Sequence, residues 1–514
     1  MIGVAVLPLA FGAAPSLVGQ SAEQQFWARL PEQERPGPQE QDGARLVFRA
    51  LLEADPQVQL TLLSQARARL LQPTRFRGRA LCAEASLLGR LDQVEKAEPL
   101  ILECLTLLPG DPQALRLSSF LKMRRTDPSE GVQEFMAAVG RDPSIVSGVG
   151  ADDFDIIFRK LTYVGRSDLA AEFLQVLANT AWGRDDPARS SNLALQLIPG
   201  LLAKGRKSEA VQLLPRVLDP EVGLRLVVDR AYDPIRDEIE NWSGGTLEMQ
   251  RDAFVRATET AFSIAPDMAH RLNYASALLS SGRPKEAVAL LDAAVRDASQ
   301  WGDSEQDYYY LGVAAVRLAG AMRQAGQNAA STAMLGDIEP KLRQHSPGFA
   351  LNIIPNLVRY LLRDHKPDEA LALLDARTPA ADQVEAAGAL GHFEALRLCA
   401  RKQKGETVAS DVAAFKARYR TNPLVLGTLA GCLGDEALAK ERVLVLLGEG
   451  DKRGDLLVAY QAMQLGHENP NMESANELLR LTAKDAEVRR ALLRLSRPAP
   501  SGYRAALLGW HAAS

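Results

Sequence analysis

Apolar residues recur along most of this chain at the spacing of helix faces. One pattern repeats: a glycine, a short polar turn, a small residue, and then apolar residues four and seven positions further on. The pattern appears in GRSDLAAEFLQVL (165–177), GRKSEAVQLLPRVL (205–218), GRPKEAVALLDAAV (282–295) and HKPDEALALLDA (365–376). Positions separated by four and seven residues share one face of an α-helix. The pattern therefore predicts a series of amphipathic helices, each of which follows a turn.

The repeat can be traced by taking its small residue as a reference position, called the anchor below. The residue four positions after the anchor is apolar in all ten units, and the residue seven positions after it in eight. A glycine stands five positions before six of the anchors, where it suits the left-handed end of a first helix. The anchors are Ala97, Gly131, Ala170, Ala210, Ala287, Ser331, Ala370, Ser410, Ala439 and Ala475.

These units resemble the tetratricopeptide repeat (TPR), a helical hairpin whose second helix begins near a small residue. The segment RLNYASALLSSGRPKEAVALLDAAV (271–295) carries the resemblance best, and the resemblance covers residues 80–480. It implies an all-α fold: a right-handed α-solenoid of about eleven hairpins, each of which buries its apolar face only against its neighbours. The anchors are usually 29–44 residues apart, so most units are longer or shorter than the family's usual one.

The gap of 77 residues between Ala210 and Ala287 predicts an irregular unit with a kink near 230–250. Pro234 can begin a helix there, and the pair Gly244–Gly245 can end one. The chain is therefore divided, in order, into a signal peptide, N-terminal capping helices, a first limb of repeats, an irregular repeat, a second limb and C-terminal capping helices. The corresponding ranges are 1–21, 22–79, 80–220, 221–264, 265–484 and 485–514.

The segment 2–19 is apolar and uncharged, and the small residues Gly19 and Ser21 precede Ala22. This arrangement predicts a secretory signal cleaved before Ala22, although no basic residue occurs before Arg29. We therefore expect export to the periplasm or cell envelope of a bacterium. The alternatives are a buried N-terminal segment or a wrongly assigned start, in which case the protein is cytoplasmic. No later segment is expected to span a membrane.

Charge and cysteine content narrow the class of partner and the compartment. The 514 residues include 60 Lys and Arg against 64 Asp and Glu, so no positive excess attracts a polyanion and nucleic acid is not expected as a partner. Four cysteines are too few to build the fold on disulfides. Cys82 and Cys104 fall in one predicted hairpin, and Cys399 and Cys432 in adjacent units. They are either small core residues or, in an exported chain, disulfide partners.

Motifs for chemistry are missing from the sequence. There is no phosphate-binding loop, no nucleophile elbow and no pair of histidines at metal-binding spacing. Acidic runs in SGVGADD (147–153) and WGDSEQD (301–307) are interpreted as helix-start caps. His365 replaces the turn glycine of its unit and is interpreted as a turn residue. We predict no catalytic residue, no cofactor and no metal site.

The family resemblance implies a protein or peptide ligand in a concave groove that the first helices line. The first helices of the three middle units supply the candidate polar contacts, and an aromatic cluster supplies a candidate wall. Arg359 and Arg363, four residues apart, repel each other unless an anionic group lies between them. The Lys and Asn arrangement of the family's carboxylate clamp is incomplete here. The candidate groove residues are Asn273, Arg317, Arg323, Asn356, Arg359, Arg363, Trp301 and Tyr309.

Two other functions remain open at this point. One is a cytosolic regulatory TPR-like array, although no DNA-binding or other effector segment is left over for it. The other is a helical-repeat enzyme acting on glycans, which would use the aromatic residues Trp301 and 308–310 together with His345. The favoured interpretation is a non-catalytic scaffold or adaptor for protein–protein interaction.

Overall fold

The computed structural model describes Glu23 and residues 26–148, 157–183, 186–296, 305–378 and 387–510, apart from isolated positions 54, 92, 124, 126, 159, 162, 181 and 421. The predicted signal peptide, most of the acidic run 147–153 and Trp301 lie outside these residues. The described residues are almost entirely helical. They form two compact units that are divided after Gly183, called unit 1 and unit 2 below.

Unit 1 consists of helices joined by short turns. Its helices are α1 (Gln41–Leu52), α2 (Pro56–Arg69), α3 (Arg75–Arg90), α4 (Val94–Leu107), α5 (Pro112–Met123), α6 (Ser129–Arg141) and α7 (Ser167–Ala178), with short 3-10 helices at Glu32–Glu34, Pro38–Glu40 and Pro143–Gly148.

The helices of unit 1 pack in sequence order, as the repeat pattern predicts. The pairs α1–α2, α3–α4 and α5–α6 form hairpins, and α2–α3 and α4–α5 join one hairpin to the next. An aromatic cluster packs on the first hairpin. In this cluster the rings of Phe26 and Trp27 contact those of Phe48 and Phe76. These rings bury a large apolar surface, so Phe26 and Trp27 belong to the core of unit 1.

Unit 2 continues the same architecture with more helices. They are α8 (Pro187–Ala203), α9 (Lys207–Gln212), α10 (Pro220–Val228), α11 (Arg236–Ser243), α12 (Glu248–Ile264), α13 (Met268–Ser280), α14 (Pro284–Arg296), α15 (Glu305–Gln324), α16 (Asn328–His345), α17 (Pro347–Arg363), α18 (Pro367–Arg377), α19 (Ala387–Gln403), α20 (Ala409–Arg418), α21 (Pro423–Leu433), α22 (Glu436–Leu446), α23 (Gly450–Gln464), α24 (Glu473–Thr482), α25 (Ala486–Leu495) and α26 (Arg504–Leu507), with 3-10 helices at Leu214–Arg216, Arg230–Ile235 and Ser501–Tyr503.

Helices α12 to α19 show the solenoid most clearly. Each packs on the next one, and helices two apart, such as α13 with α15 and α15 with α17, also touch. A continuous core of small and branched side chains runs from Leu272 to Ala400. This arrangement confirms the predicted all-α solenoid of TPR-like hairpins.

Nine of the ten anchors are buried, which confirms the register of those units. Ser331 is fully buried and its Oγ donates to the carbonyl of Ala319 in the partner helix, 3.0 Å away. The anchor assigned to Ser410 is wrong, because Ser410 and Ala414 are exposed. Val408 and Phe415 are buried in that unit instead. Both registers place apolar residues at helical spacing, and only packing distinguishes them.

The turns before the anchors confirm the expected backbone geometry. His365 has φ 57°, which puts it in the left-handed region as expected for a residue that replaces the turn glycine. The same region holds all six glycines that stand five positions before an anchor: Gly165, Gly205, Gly282, Gly326, Gly405 and Gly434.

The irregular repeat follows the expected local signals. The 3-10 turn at Arg230–Ile235 contains Pro234, and α11 ends at Gly244, whose φ is 59°. Helices that come much later in the sequence pack back against this region. Helix α10 packs against α23, and α26 packs against both α10 and α23. The two ends of unit 2 therefore meet, which the repeat pattern does not predict.

Arginine side chains hold this junction between the two ends of unit 2. Arg497, buried to 5% exposure, donates to the carbonyls of Leu226 and Val227 and forms an ion pair with Asp233, 2.8 Å away. Arg453 pairs with Asp229 at 2.7 Å. These contacts span more than 200 residues of sequence, so they depend on the tertiary structure alone.

The four cysteines form two disulfides, which decides between the alternatives that the sequence leaves open. Cys82 of α3 is joined to Cys104 of α4 within one hairpin, with a Cα–Cα distance of 5.6 Å. Cys399 of α19 is joined to Cys432 of α21 in the adjacent unit, with a Cα–Cα distance of 5.7 Å.

Candidate partner-binding face

The inner face of unit 2 is the side of α13, α15 and α17 that faces remote parts of the chain. It carries Asn273, Arg317, Arg359 and Arg363, all of which the sequence indicated as groove residues. In unit 2 this face is not an open groove. Helix α10 covers its first part and the segment around α24 covers its last part, because the two ends of the unit fold over it.

At the first part of the face, polar residues meet the beginning of unit 2. The Asn273 side-chain amide donates to Asp186 at the start of α8, 3.2 Å away. Ser280 donates to the carboxylate of Glu221 at the start of α10, 2.9 Å away. The negative charge of the Glu221 carboxylate also attracts the guanidinium of Arg317. The side chain of Arg317 is exposed to solvent. Asn273 and Arg317 thus contact the chain itself.

Arg323 and Asn356 make their contacts within their own part of the solenoid. Arg323 forms an ion pair with Asp364, 2.9 Å away, and its guanidinium lies 4.4 Å from the centre of the Tyr360 ring. The Asn356 amide donates to the carbonyl of Asn352 in its own helix at 2.9 Å. Neither residue shares a cavity with Arg359.

Anionic groups lie next to Arg363, as expected from the repulsion between Arg359 and Arg363. Arg363 forms ion pairs with Glu477, at 2.6 Å, and with Glu473, both in α24. Burial acts to lower the pKa of Arg363, but these two carboxylates together raise it. Arg359 has no such pair: its guanidinium donates to Thr428 Oγ1 at 3.0 Å. Burial lowers the pKa of Arg359; the charges of Glu477 and Glu473 oppose this, and the charge of Arg363 adds to it.

Arg359 lies in the wall of a cavity between α17, α19, α21 and α24. The cavity has a volume of about 390 Å³ and is open on one side. Four cationic side chains line it, against one carboxylate from Glu477. The cations are Arg359, Arg363, Lys402 and Arg480, and the Cys399–Cys432 disulfide forms another part of the wall.

Two of the four cations have no carboxylate partner among the described residues. Arg480 pairs with Glu468 and Arg363 with α24, whereas Lys402 is exposed and forms no ion pair in the described part of the chain. Arg359 and Lys402 therefore provide the free positive charge of this cavity. Such a site favours an anionic group, since a guanidinium and an ammonium can both donate charge-assisted hydrogen bonds to it.

The sequence indicated the two arginines of this cavity but missed its other components. Lys402, Thr428, Glu473 and Glu477 were not predicted. A signal for the two acids exists, because Glu473 and Glu477 repeat the four-residue spacing of Arg359 and Arg363. That match becomes visible only when α24 is known to cross α17.

The aromatic cluster forms a separate region. Tyr309 is exposed, and its ring meets the edge of Phe349 with centroids 5.2 Å apart. Tyr308 stacks on His345 with centroids 4.1 Å apart and an interplanar angle of 4°. Trp301 lies outside the described residues, so the structure does not test its role in this wall. The described aromatic residues line neither the cavity nor its opening.

Two further observations concern other classes of site. Within the described residues, no group of three or more His, Cys, Asp or Glu side chains is placed to hold a metal ion. Across the same residues, no helix combines the length and apolar character needed to cross a bilayer.

No known protein family and no curated protein matches the sequence. Solved structures that align with it include the apo form of RapI, with 10% identity and a TM-score of 0.37 over 81% of this chain and 98% of that one. A Rap protein complexed with competence and sporulation factor gives 13% and 0.36 over 82% and 99%. The TPR domain of P58(IPK) gives 12% and 0.19 over 88% and 96%.

These scores are too low to transfer any function to this chain. The assignment of the fold rests on the hairpins, the buried anchors and the left-handed turns described above. On those grounds the protein is a solenoid of tetratricopeptide-like helical hairpins.

Proposed function

We propose that this protein is a non-catalytic scaffold that binds a protein or peptide through the cationic cavity of unit 2. The observation that carries the proposal is the pair Arg359 and Lys402, which line an open cavity without a carboxylate partner among the described residues. Arg363 in the same cavity and Arg323 outside it are both paired within the chain. A partner's carboxylate completes the hydrogen bonding that the chain leaves open at this place. Nucleic acid is not the proposed ligand.

The proposal is tested by the double variant Arg359→Gln and Lys402→Gln. These substitutions keep a polar side chain at each position and remove its charge. A partner is first isolated with the full chain and identified, and its affinity for purified variants is then measured by calorimetry. We expect a loss of about tenfold or more, because each charge-assisted hydrogen bond contributes ~1.5–3 kcal/mol.

The matched control is Lys341→Gln, which removes an exposed cation from α16 away from the cavity. The control protein should bind the partner as the original protein does. Equal affinity of the double variant and the control would show that the partner binds elsewhere.

We further propose that the protein is exported to the bacterial cell envelope. Two features support this: the apolar segment 2–19 and the two disulfides. Disulfides persist in oxidising compartments and are rare in the cytosol.

Export is tested by fractionating cells that produce the full chain with a C-terminal tag. We expect the protein in the envelope fraction with Ala22 as its first residue, and all four cysteines resistant to alkylation before reduction. An intact Met1 in the cytosolic fraction would contradict export and favour the cytosolic regulatory array.

A further inference from the structure

The two disulfides of this protein differ in their accessibility. Cys82 and Cys104 are both buried in the core of their hairpin, with exposures of 6% and 0%. Cys399 is also buried, at 4%, but its partner Cys432 is exposed. Only the second disulfide therefore includes a cysteine residue that is exposed to solvent.

The exposed disulfide lies in the wall of the cationic cavity. Cys399, Cys432, Arg359 and Lys402 line the same space of about 390 Å³. Positively charged walls concentrate anions and raise the rate at which they arrive. They also stabilise a thiolate, so this disulfide releases a cysteine as a thiolate more readily than a disulfide with apolar surroundings does.

We propose that the Cys399–Cys432 disulfide is an exchange site, and that the cavity admits a small anionic thiol which reduces it. The ligand class is a thiol that carries carboxylate groups near its sulfur atom. Arg359 and Lys402 bind the carboxylates and bring the thiol to Cys432. The buried Cys82–Cys104 disulfide takes no part in this reaction.

The exchange proceeds in two balanced steps. The thiolate of the ligand attacks Cys432 Sγ, a new S–S bond forms between them, and Cys399 leaves as a thiolate that takes a proton from solvent. A second ligand thiolate then attacks the ligand sulfur of this mixed disulfide, and Cys432 leaves as a thiolate. Two ligand thiols are oxidised to one ligand disulfide, and the protein disulfide is reduced to two thiols.

Reduction removes the covalent link between α19 and α21, which form two walls of the cavity. Opening this disulfide regulates the cavity to which the proposed function assigns a partner. It does not require that a protein partner binds there, since the exchange is measured with the thiol alone.

The test uses the full oxidised chain and three thiols of different charge: glutathione, 2-mercaptoethanol and cysteamine. Each reaction is set to the same thiolate concentration and stopped by alkylation, and mass spectrometry of peptides follows each disulfide separately. We expect Cys399–Cys432 to open well before Cys82–Cys104 with every reagent. Glutathione should react faster than cysteamine, by about tenfold, because the cavity attracts anions.

The double variant Arg359→Gln and Lys402→Gln should abolish the preference for glutathione over cysteamine. It should slow glutathione more than 2-mercaptoethanol, whose thiolate carries a single negative charge. The control Lys341→Gln should keep the preference. A single variant, Cys399→Ser, should form a stable adduct with glutathione at Cys432 when it is mixed with oxidised glutathione.

Equal opening of the two disulfides, or a glutathione preference that survives the double variant, would overturn the proposal. Neither result depends on the folding of the Cys399→Ser variant, because both are measured on proteins that keep all four cysteines. Failure of partner binding is a separate result, which calorimetry with the partner reports independently of these rates.

Discussion

Glu221 lies beside the first part of the inner face, and its surroundings strongly raise the pKa of its carboxyl. It stands in the first turn of α10, where burial raises the pKa of its carboxyl to about 7. The charges of Asp219 and Asp455 add to this effect, while Ser280 and Arg225 oppose it. At neutral pH the carboxyl is therefore partly protonated, although it lies near the positive charge of Arg317.

We expect Glu221 to make unit 2 less stable as the pH rises. The pKa is about 7 in the folded state, above the ordinary glutamate value of 4.5, so protonation favours folding. The contribution is fully present below about 4.5 and is lost as the pH rises through about 7. The variant Glu221→Gln, which keeps an oxygen for Ser280, should remove this loss.

The measurement is the free energy of unfolding in urea at pH 5 and pH 8. The decrease between these values should be smaller in Glu221→Gln than in the original protein by about 1–3 kcal/mol. The variant Asp337→Asn removes an exposed carboxylate without an ion pair among the described residues and serves as control. An equal decrease in the original protein, Glu221→Gln and Asp337→Asn would show that Glu221 does not cause this pH dependence.

At the scale of elements, the small anchors set the distance between the two helices of a hairpin. Gly131 shows this best, because a Cβ atom built there would lie 2.6 Å from the carbonyl of Ser119 and 2.7 Å from the amide of Met123. Both atoms belong to the backbone of α5, which cannot move without separating the hairpin. Helix α6 therefore approaches α5 through this glycine.

We predict that Gly131→Ala destabilises unit 1 by about 1–3 kcal/mol, the usual cost of overpacking. Gly140→Ala is the matched control, since the added methyl group at this position in the same helix meets no atom within 4 Å. The control should be neutral or more stable by about 0.5–1 kcal/mol, because alanine favours the helix. Thermal unfolding of both variants checks this. Equal effects of the two substitutions would contradict the role of Gly131.

The sequence predicted the elements well wherever a local signal was sufficient. The turn at His365 could be predicted because its unit aligns with units that have glycine there. The helix beginning at Pro423 could be predicted because Asn422 before proline suits a cap, and its side chain does accept from the amide of Val425 at 3.2 Å. The anchor at Ser410 was wrong because two registers of that helix are equally apolar.

At the scale of the whole molecule, the ends of unit 2 are held together by Arg497. Its guanidinium satisfies two backbone carbonyls of α10 and the carboxylate of Asp233, and its amide donates to Val228 at 2.9 Å. Truncating its side chain leaves the carbonyls of Leu226 and Val227 without this donor inside the protein. The junction keeps α10 and α23 together, and α10 lies over the first part of the inner face.

We predict that Arg497→Ala destabilises unit 2 by about 2–6 kcal/mol, because each of two buried carbonyls that loses its donor costs ~1–3 kcal/mol. Arg494→Ala is the matched control, because this arginine in the last turn of α25 is exposed and unpaired among the described residues. Hydrogen exchange should show faster exchange in α10 and α23 only for Arg497→Ala. Unchanged protection of these helices would mean that the junction does not depend on Arg497.

The candidate site was predictable only in part. The spacing of Arg359 and Arg363 shows that an anionic group is needed between or beside them. It does not show that Glu473 and Glu477, more than 100 residues later, supply this group to Arg363 alone. Which arginine remains free for a ligand depends on how α24 crosses α17, and no local pattern contains that information.

The sequence by itself determined the repeated hairpins, the turns between them and the buried face of each helix. These depend on interactions between residues a few positions apart, which are written directly in the order of apolar, small and turn-forming residues. The tertiary structure alone decided that the two ends of unit 2 meet, that most of the inner face is occupied by the chain itself, and that Arg359 and Lys402 share a cavity with a disulfide. Those features arise from small rotations between successive hairpins, which add up over many repeats and bring together residues that are remote in sequence.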